Sequence, residues 1–439
     1  MTICLINPPQ TALWNPLSYP PLGLLYIAAR LEETGFAVAI HNQPHRTLEE
    51  QRDEIPDADV YGISATTPMI PEVARLVKHL HATHPLSPVA VGGIHATVDP
   101  LETLSLTNAD HVFAGEGEYV FPEFCKNPAA FGAVTTASRI YGLDKLPLPA
   151  RHLLPRSVIC DDSGIHTGED KAKKEYVASA RSSARDTQAA TTLITSRGCP
   201  FRCAFCCKTK TTSGVRYRSP ASVYTELEHL RDEYGVTQFR IVDDAFTLDV
   251  DRALDLMAMT EGKGFGFTTI LRADSLVGPG RNREMVQRLR AGGMHTASFG
   301  VESGSQAVLD RVNKRESLAE IKQAIRWCKE CGVTVKVFLI FGLPGETLET
   351  VEETKQLFRD VQPDSYTLSS FVPLPGSDIY AHPGKYGLTP RYKTGDYSDF
   401  WFYWEPEDTD RGFYFDMPRE LREARGELIR YLREGTWRE

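Results

Sequence analysis

Residues 197–207 read RGCPFRCAFCC, and Cys199, Cys203 and Cys206 stand there in C-x-x-x-C-x-x-C spacing. Soft thiolates at short spacing select zinc or an iron–sulfur cluster. A structural zinc site takes four ligands, usually as two separate pairs, whereas this one loop offers three. A cubane of four irons held by three thiolates leaves one iron open to a further ligand. Cys207 falls outside the pattern and is expected to be a buried neighbour.

The cysteine loop follows an apolar run, Thr192–Ser196, which opens an alternation of strand and helix patterns. Further strands are expected at Gln238–Val242, Phe267–Leu271, Thr296–Phe299, Val333–Ile340 and Ser365–Ser369, with helices such as Ala221–Glu233 and Leu318–Cys331 between them. Six strand–helix units fit a partial (β/α)6 barrel, whose chemistry belongs at the C-terminal strand ends. A second alternation fills residues 1 to about 130. Its strands are expected at Ile3–Ile6, Phe36–Ile40, Val60–Ser64, Val89–Val91 and His111–Phe113, and its clearest helices at Leu22–Leu31 and Val73–Leu80. Such spacing implies a parallel sheet covered by helices on both faces. The fold class is therefore α/β, divided into an N-terminal domain (1–150), a linker (151–190), the barrel (191–372) and a C-terminal extension (373–439). Residues 157–190 are polar and aperiodic, as a crossing between domains would be.

Composition sets the outer bounds. The 439 residues are 41% apolar and 24% charged, ordinary for a globular chain of two or three domains. No run of about eighteen apolar residues occurs, so no membrane helix is expected, and the first residues lack the pattern of a secretory signal. Nine cysteines, an odd count, suggest reduced thiols and a cytoplasmic location. The formal charge of −9 argues against broad nucleic-acid binding.

The cysteine motif resembles that of the radical S-adenosylmethionine (SAM) superfamily, and further matches follow along the barrel. Phe205 matches the aromatic position before the third cysteine. Ile241-Val242-Asp243-Asp244-Ala245-Phe246 resembles the acidic loop that meets the SAM amino group, and Arg272, at the third strand end, is placed to pair with the SAM carboxylate. Glu302 and Ser303 end the fourth strand, near the ribose or amino group, and Phe338–Glu346 resembles the glycine-rich turn beneath the adenine. Upstream, Asn7-Pro8-Pro9, Tyr19–Ala29, Gly62-Ile63-Ser64, Gly92–Thr97 and Gly115–Glu118 resemble the Rossmann-like cobalamin-binding domain of one large class of these enzymes. The resemblance implies that Ser64, Thr66, Gly92, Gly93, His95 and Glu116 approach the corrin. The string D-x-H-x-x-G does not occur. Gln43-Pro44-His45-Arg46-Thr47-Leu48 keeps only the histidine, so cobalt is expected to lack a protein imidazole and His45 to be a solvated loop residue.

The resemblance implies a 4Fe-4S cluster, SAM and cobalamin as cofactors. It also implies a 5′-deoxyadenosyl radical that takes hydrogen from an unactivated carbon of a small molecule, most often for C-methylation in natural-product (antibiotic) biosynthesis. A low-potential flavodoxin or ferredoxin would supply electrons. One alternative is radical dehydration of an aminosugar; another is a non-catalytic cobalamin or metal sensor, which would need no ordered set of strand-end features. A tRNA-modifying enzyme is disfavoured by the net charge. Residues 397–417 hold nine aromatics and six carboxylates against one arginine. There Glu405, Glu407, Asp408 and Asp410 are candidate contacts for a cationic sugar. Cys328 and Cys331 lie in a helical pattern and are expected to be core thiols. Pro418–Glu439 reads as a packing helix. No residue is singled out as a catalytic acid or base.

Overall fold

The computed structural model describes residues 1–10, 19–160, 190–207, 214–393, 395–397, 400 and 413–435. The chain forms two compact units. The first is Met1–Ile159 with Leu374–Gly376 and Lys393–Trp401; the second is Cys160–Pro373 with Ser377–Tyr392 and Phe402–Glu439.

The first unit is built on a six-stranded sheet: β1 (Thr2–Asn7), β2 (Ala37–Asn42), β3 (Val60–Ser64), β4 (Val89–Gly92), β5 (His111–Ala114) and β6 (Val134–Thr136). The order is β2-β1-β3-β4-β5-β6, and every pairing is parallel. Helices cover the sheet, so the central strands read as unbroken apolar runs; β1 is buried from Ile3 to Asn7. The helix Ile70–Thr83 turns Val73, Leu76, Val77 and Leu80 inward, the spacing of an amphipathic helix facing a core. Strand order reverses between β1 and β3, and ligands of such sheets sit beyond the strand ends at that reversal. β6 was not expected: three half-exposed residues carry too little period to register.

The second unit carries β7 (Ala190–Leu193), then a small antiparallel ribbon of β8 (Ser196–Arg197) and β9 (Arg216–Tyr217). The strands β10 (Gln238–Ile241), β11 (Gly266–Leu271), β12 (Met294–Glu302), β13 (Thr334–Phe341) and β14 (Ser365–Ser370) complete it. The six main strands are parallel, in the order β14-β13-β12-β11-β10-β7. This sequential open sheet is the expected partial barrel. The expected strand Thr192–Ser196 is divided: β7 stops at Leu193, and Ser196 turns into the ribbon. The helix Arg419–Glu434 buries Leu421, Ala424, Leu428, Ile429 and Leu432, as its apolar spacing requires. None of the nine cysteines is joined in a disulfide. Among the described residues no helix is long and apolar enough to cross a membrane.

Candidate active site at the strand ends

The cysteine loop leaves the end of β8 and is tied down at both sides. At its root Asp243 is 2% exposed. Its carboxylate accepts from the Thr195 backbone N–H (2.6 Å), the Thr195 hydroxyl (2.5 Å) and the Ser196 hydroxyl (2.7 Å). Burial raises the Asp243 pKa and these hydrogen bonds oppose the rise. Three donors on one carboxylate fix where the loop begins. Farther along, Ala204 N–H donates to the Val312 carbonyl (2.8 Å), and the Asn313 side chain donates to the Arg202 carbonyl (2.7 Å). Cys203 is buried; Cys199, Cys206 and Cys207 are partly exposed.

Beside the loop lies a buried ion network. Arg272 forks onto Asp274 (3.0 and 2.9 Å) and lies 3.3 Å from Glu316, with its guanidinium 3.5 Å from the centre of the Phe201 ring. Lys314 Nζ contacts Glu302 at 3.0 Å and Glu316 at 3.2 Å. Burial alone would lower the lysine pKa, but the two carboxylates outweigh it and push it up. Burial pushes the Cys203 thiol up to about 11, and Lys314 and Arg272 act against that rise. The donor set fits an iron–sulfur cluster on these grounds: three soft thiols on one clamped loop, none of them in a disulfide, with two buried cations beside them. Among the described residues no three His, Cys, Asp or Glu side chains gather about one metal ion.

The strand ends bring some predicted residues together and divert others. Glu302 adopts φ +67°, rare for a residue with a side chain. It sits at a register shift between β12 and β13, and a bulge of this kind re-aims a side chain at a strand end. Arg272, expected to pair with a ligand carboxylate, has its donors committed to Asp274, Glu316 and the Lys314 carbonyl. Ser303 is 2% exposed and accepts from Ser305 N–H (3.2 Å). Phe205 and Asp244 are partly exposed. After β13 the Glu346 carboxylate accepts from Gly342 N–H (2.5 Å); burial pushes its pKa up to about 8 against that bond. Lys314 and Glu316 escaped the sequence reading, because isolated polar residues between helices carry no period, and Thr195 reads there only as part of a strand. Asn313 and Arg315, at φ 55° and 56°, flank the lysine.

A cavity of about 460 Å³ is lined by Arg391, Asp416, Met417, Pro418 and Arg422. The Met417 methyl lies 3.6 Å from where a Cβ on Gly342 would stand, so the cavity adjoins the turn after β13. Phe371 stacks on Phe415 at 5.6 Å, and Phe413, Tyr414 and Phe415 are buried; this part of the tail packs. Glu405, Glu407, Asp408 and Asp410 lie outside the described residues. Cys328 is fully buried and Cys331 partly exposed.

In the first unit the loops after β3 and β4 lock together. Ala65 N–H donates to the Gly92 carbonyl (2.9 Å), and His95 N–H donates to the Ala65 carbonyl (3.3 Å). Gly93 has φ +99°, and a Cβ there would meet the Ala65 carbonyl oxygen at 2.6 Å; only glycine allows both the conformation and the approach. Ser64 and Gly92 are partly exposed and Thr66 is exposed. His95 is 0% exposed, so its ring lies behind the loop surface, against Thr67 (3.0 Å). Glu116 accepts from Ile140 N–H (2.7 Å), and His45 is exposed.

The family model of the radical SAM superfamily matches residues 193–358, and that of the B12 binding domain matches residues 16–125. The chain is 28% identical to the uncharacterized methyltransferase PH0819 of Pyrococcus horikoshii, over 87% of this chain and 83% of that one. It is 27% identical to the cytidylyl-2-hydroxyethylphosphonate methyltransferase of Streptomyces wedmorensis, over 86% and 80%. The anaerobic magnesium-protoporphyrin IX monomethyl ester cyclase of Cereibacter sphaeroides is 28% identical over 88% of this chain but 63% of its own length. Among solved structures, TsrM from Kitasatospora setae, with cobalamin and a 4Fe-4S cluster bound, shares the fold at a TM-score of 0.64 and 17% identity, over 90% of this chain and 81% of that one. OxsB, with aqua-cobalamin and S-adenosylmethionine bound, gives 0.64 at 18% identity, over 90% and 57%.

Proposed function

We propose, from the premise that this chain is a radical SAM enzyme carrying a B12 binding domain, that it transfers a methyl group to an unactivated carbon of a small molecule. When bound, the cluster supplies the electron that cleaves SAM, and cobalamin supplies the methyl group. The chain's own residues provide position and water exclusion. Cys199, Cys203 and Cys206 hold the cluster. Lys314 and Arg272 offset its negative charge from the buried side. Phe205, Asp244 and Glu302, each partly exposed beside or at a strand end, are the groups that meet SAM. In the first unit, Ser64, Thr66, Gly92 and Gly93 offer small side chains and close backbone to a flat ligand. His95 is buried and the string D-x-H-x-x-G is missing from the sequence, so neither would offer an imidazole to the corrinoid. A low-potential flavodoxin or ferredoxin acts as reductant.

The observation that carries the proposal is the clamped loop of three closely spaced thiols beside two buried cations. Two relatives covered over most of their length are named methyltransferases, which supports methyl transfer. The aminosugar substrate and its dehydration rest on residues outside the described ones, and no described residue favours them. The cavity beside the turn after β13 is instead bordered by two guanidiniums. The test is anaerobic reconstitution with and without hydroxocobalamin, followed by mass spectrometry. S-adenosylhomocysteine and 5′-deoxyadenosine formed together, with a product heavier by one methylene, are expected. 5′-Deoxyadenosine without S-adenosylhomocysteine would refute methyl transfer, and the absence of both would refute SAM chemistry.

A further inference from the structure

The segment Lys393–Trp401 belongs to the first unit, although the residues on either side of it belong to the second. Tyr397 and Phe400 anchor it; each is 2% exposed, with ring centroids 5.2 Å apart. A buried tyrosine hydroxyl requires a partner. Here Tyr397 donates to Glu102 Oε2 at 2.6 Å. The same oxygen stands 3.6 Å from His95 Nε2, beyond hydrogen-bond range, and that nitrogen is buried without a partner. The other ring nitrogen of His95 meets the Thr67 hydroxyl at 3.0 Å. The Tyr397 ring packs against the His95 ring at 5.2 Å and 75°.

A connected set of side chains therefore runs from Tyr397 through Glu102 and His95 to Thr67. Its far end lies on the two interlocked loops. Thr67 directly follows Thr66 after β3, and His95 follows Gly93 after β4. Tyr397 is itself almost wholly enclosed. Its bond also determines where Glu102 points, because the one oxygen faces both the tyrosine hydroxyl and an unmet histidine nitrogen. With the hydroxyl gone, Glu102 has less than 1 Å to travel to reach hydrogen-bond distance from His95.

We infer that Tyr397 is a positioning residue: it braces the loops after β3 and β4 from behind, so that holding the tail and ordering the ligand loops are one coupled event. The coupling to a corrinoid rests on the proposed function; the brace does not. Binding linkage is reciprocal, so a ligand on the loops should also fix the tail.

The test is hydrogen–deuterium exchange on the full chain, without ligand and with hydroxocobalamin. Tyr397→Phe, which keeps the ring and removes the hydroxyl, should speed exchange in peptides covering 66–70 and 92–98 and leave the second sheet unchanged. Glu102→Ala should do the same. Glu102→Gln, which keeps an acceptor for the hydroxyl, should retain wild-type protection. Hydroxocobalamin should slow exchange in peptides covering 393–400 of the wild type and bind Tyr397→Phe about fivefold more weakly. Unchanged loop exchange in Tyr397→Phe would overturn the brace. Cobalamin binding that leaves the tail unaffected would overturn the coupling. A wild-type protein that binds no cobalamin would sink the corrinoid reading, and the ligand-free exchange would still decide the brace.

Discussion

Replacing Lys314 by methionine removes one positive charge and little volume. In the native protein this ammonium is held between Glu302 and Glu316, with side-chain exposures of 6%, 11% and 1% respectively. Glu316 would keep Arg272 at 3.3 Å, whereas Glu302 would keep no cation described here. Removing one partner of a buried ion pair costs about 3–5 kcal/mol, because the other charge is stranded in a poor solvent. At roughly 2–4 °C per kcal/mol for a unit of this size, the transition should fall by about 6–20 °C. The assay is anaerobic thermal melting of cluster-free protein followed by circular dichroism, so that iron loss does not contribute. A second variant, Lys314→Met with Glu302→Gln, removes the stranded charge and should recover a large part of the loss. The reasoning fails if Lys314→Met shifts the transition by less than the equivalent of about 1 kcal/mol, or if the double variant melts no higher than the single.

Three further outcomes are expected. Asp243→Asn would set an amide N–H₂ against donors at Thr195 and Ser196, costing about 1–3 kcal/mol and lowering iron retention after reconstitution, read by iron and sulfide analysis. Serine at Cys199, Cys203 or Cys206 should abolish cluster assembly by the same analysis, whereas Cys207→Ser should retain it. Burial holds His95 at about 4 against an ordinary value of 6.5, so the unfolded chain binds the extra proton first. The stability this represents is complete above pH 6.5 and is lost as pH falls through 4; urea midpoints should drop more steeply over that window in the wild type than in His95→Gln.

Much of this was legible in the sequence because the fold repeats a simple unit. Every strand of the two parallel sheets except β6 overlaps an expected apolar run, and the expected helices at Leu22, Ala221 and Leu318 recur within three residues at each end. The thiol loop announced itself by spacing. What escaped was whatever depends on partners far along the chain. Arg272 looks like a ligand contact until Asp274, Glu316 and Lys314 surround it. His95 sits in a loop that reads as ligand-facing, yet its ring turns inward, because the Gly92-Gly93 corner ties its backbone to Ala65. Asp243 and Asp244 are neighbours just past the end of β10, and only the bonds to Thr195 and Ser196 show which of them turns to the cysteine loop's root.

The return of residues 393–401 to the first unit bears on how the protein can be cut. A fragment ending near residue 159 would hold all six strands of the N-terminal sheet and still forfeit Tyr397 and Phe400. The space they fill beside Glu102 and His95 would then be open to water, and such a truncation should be prone to aggregation. Supplying a peptide of residues 390–402 in trans should restore its solubility.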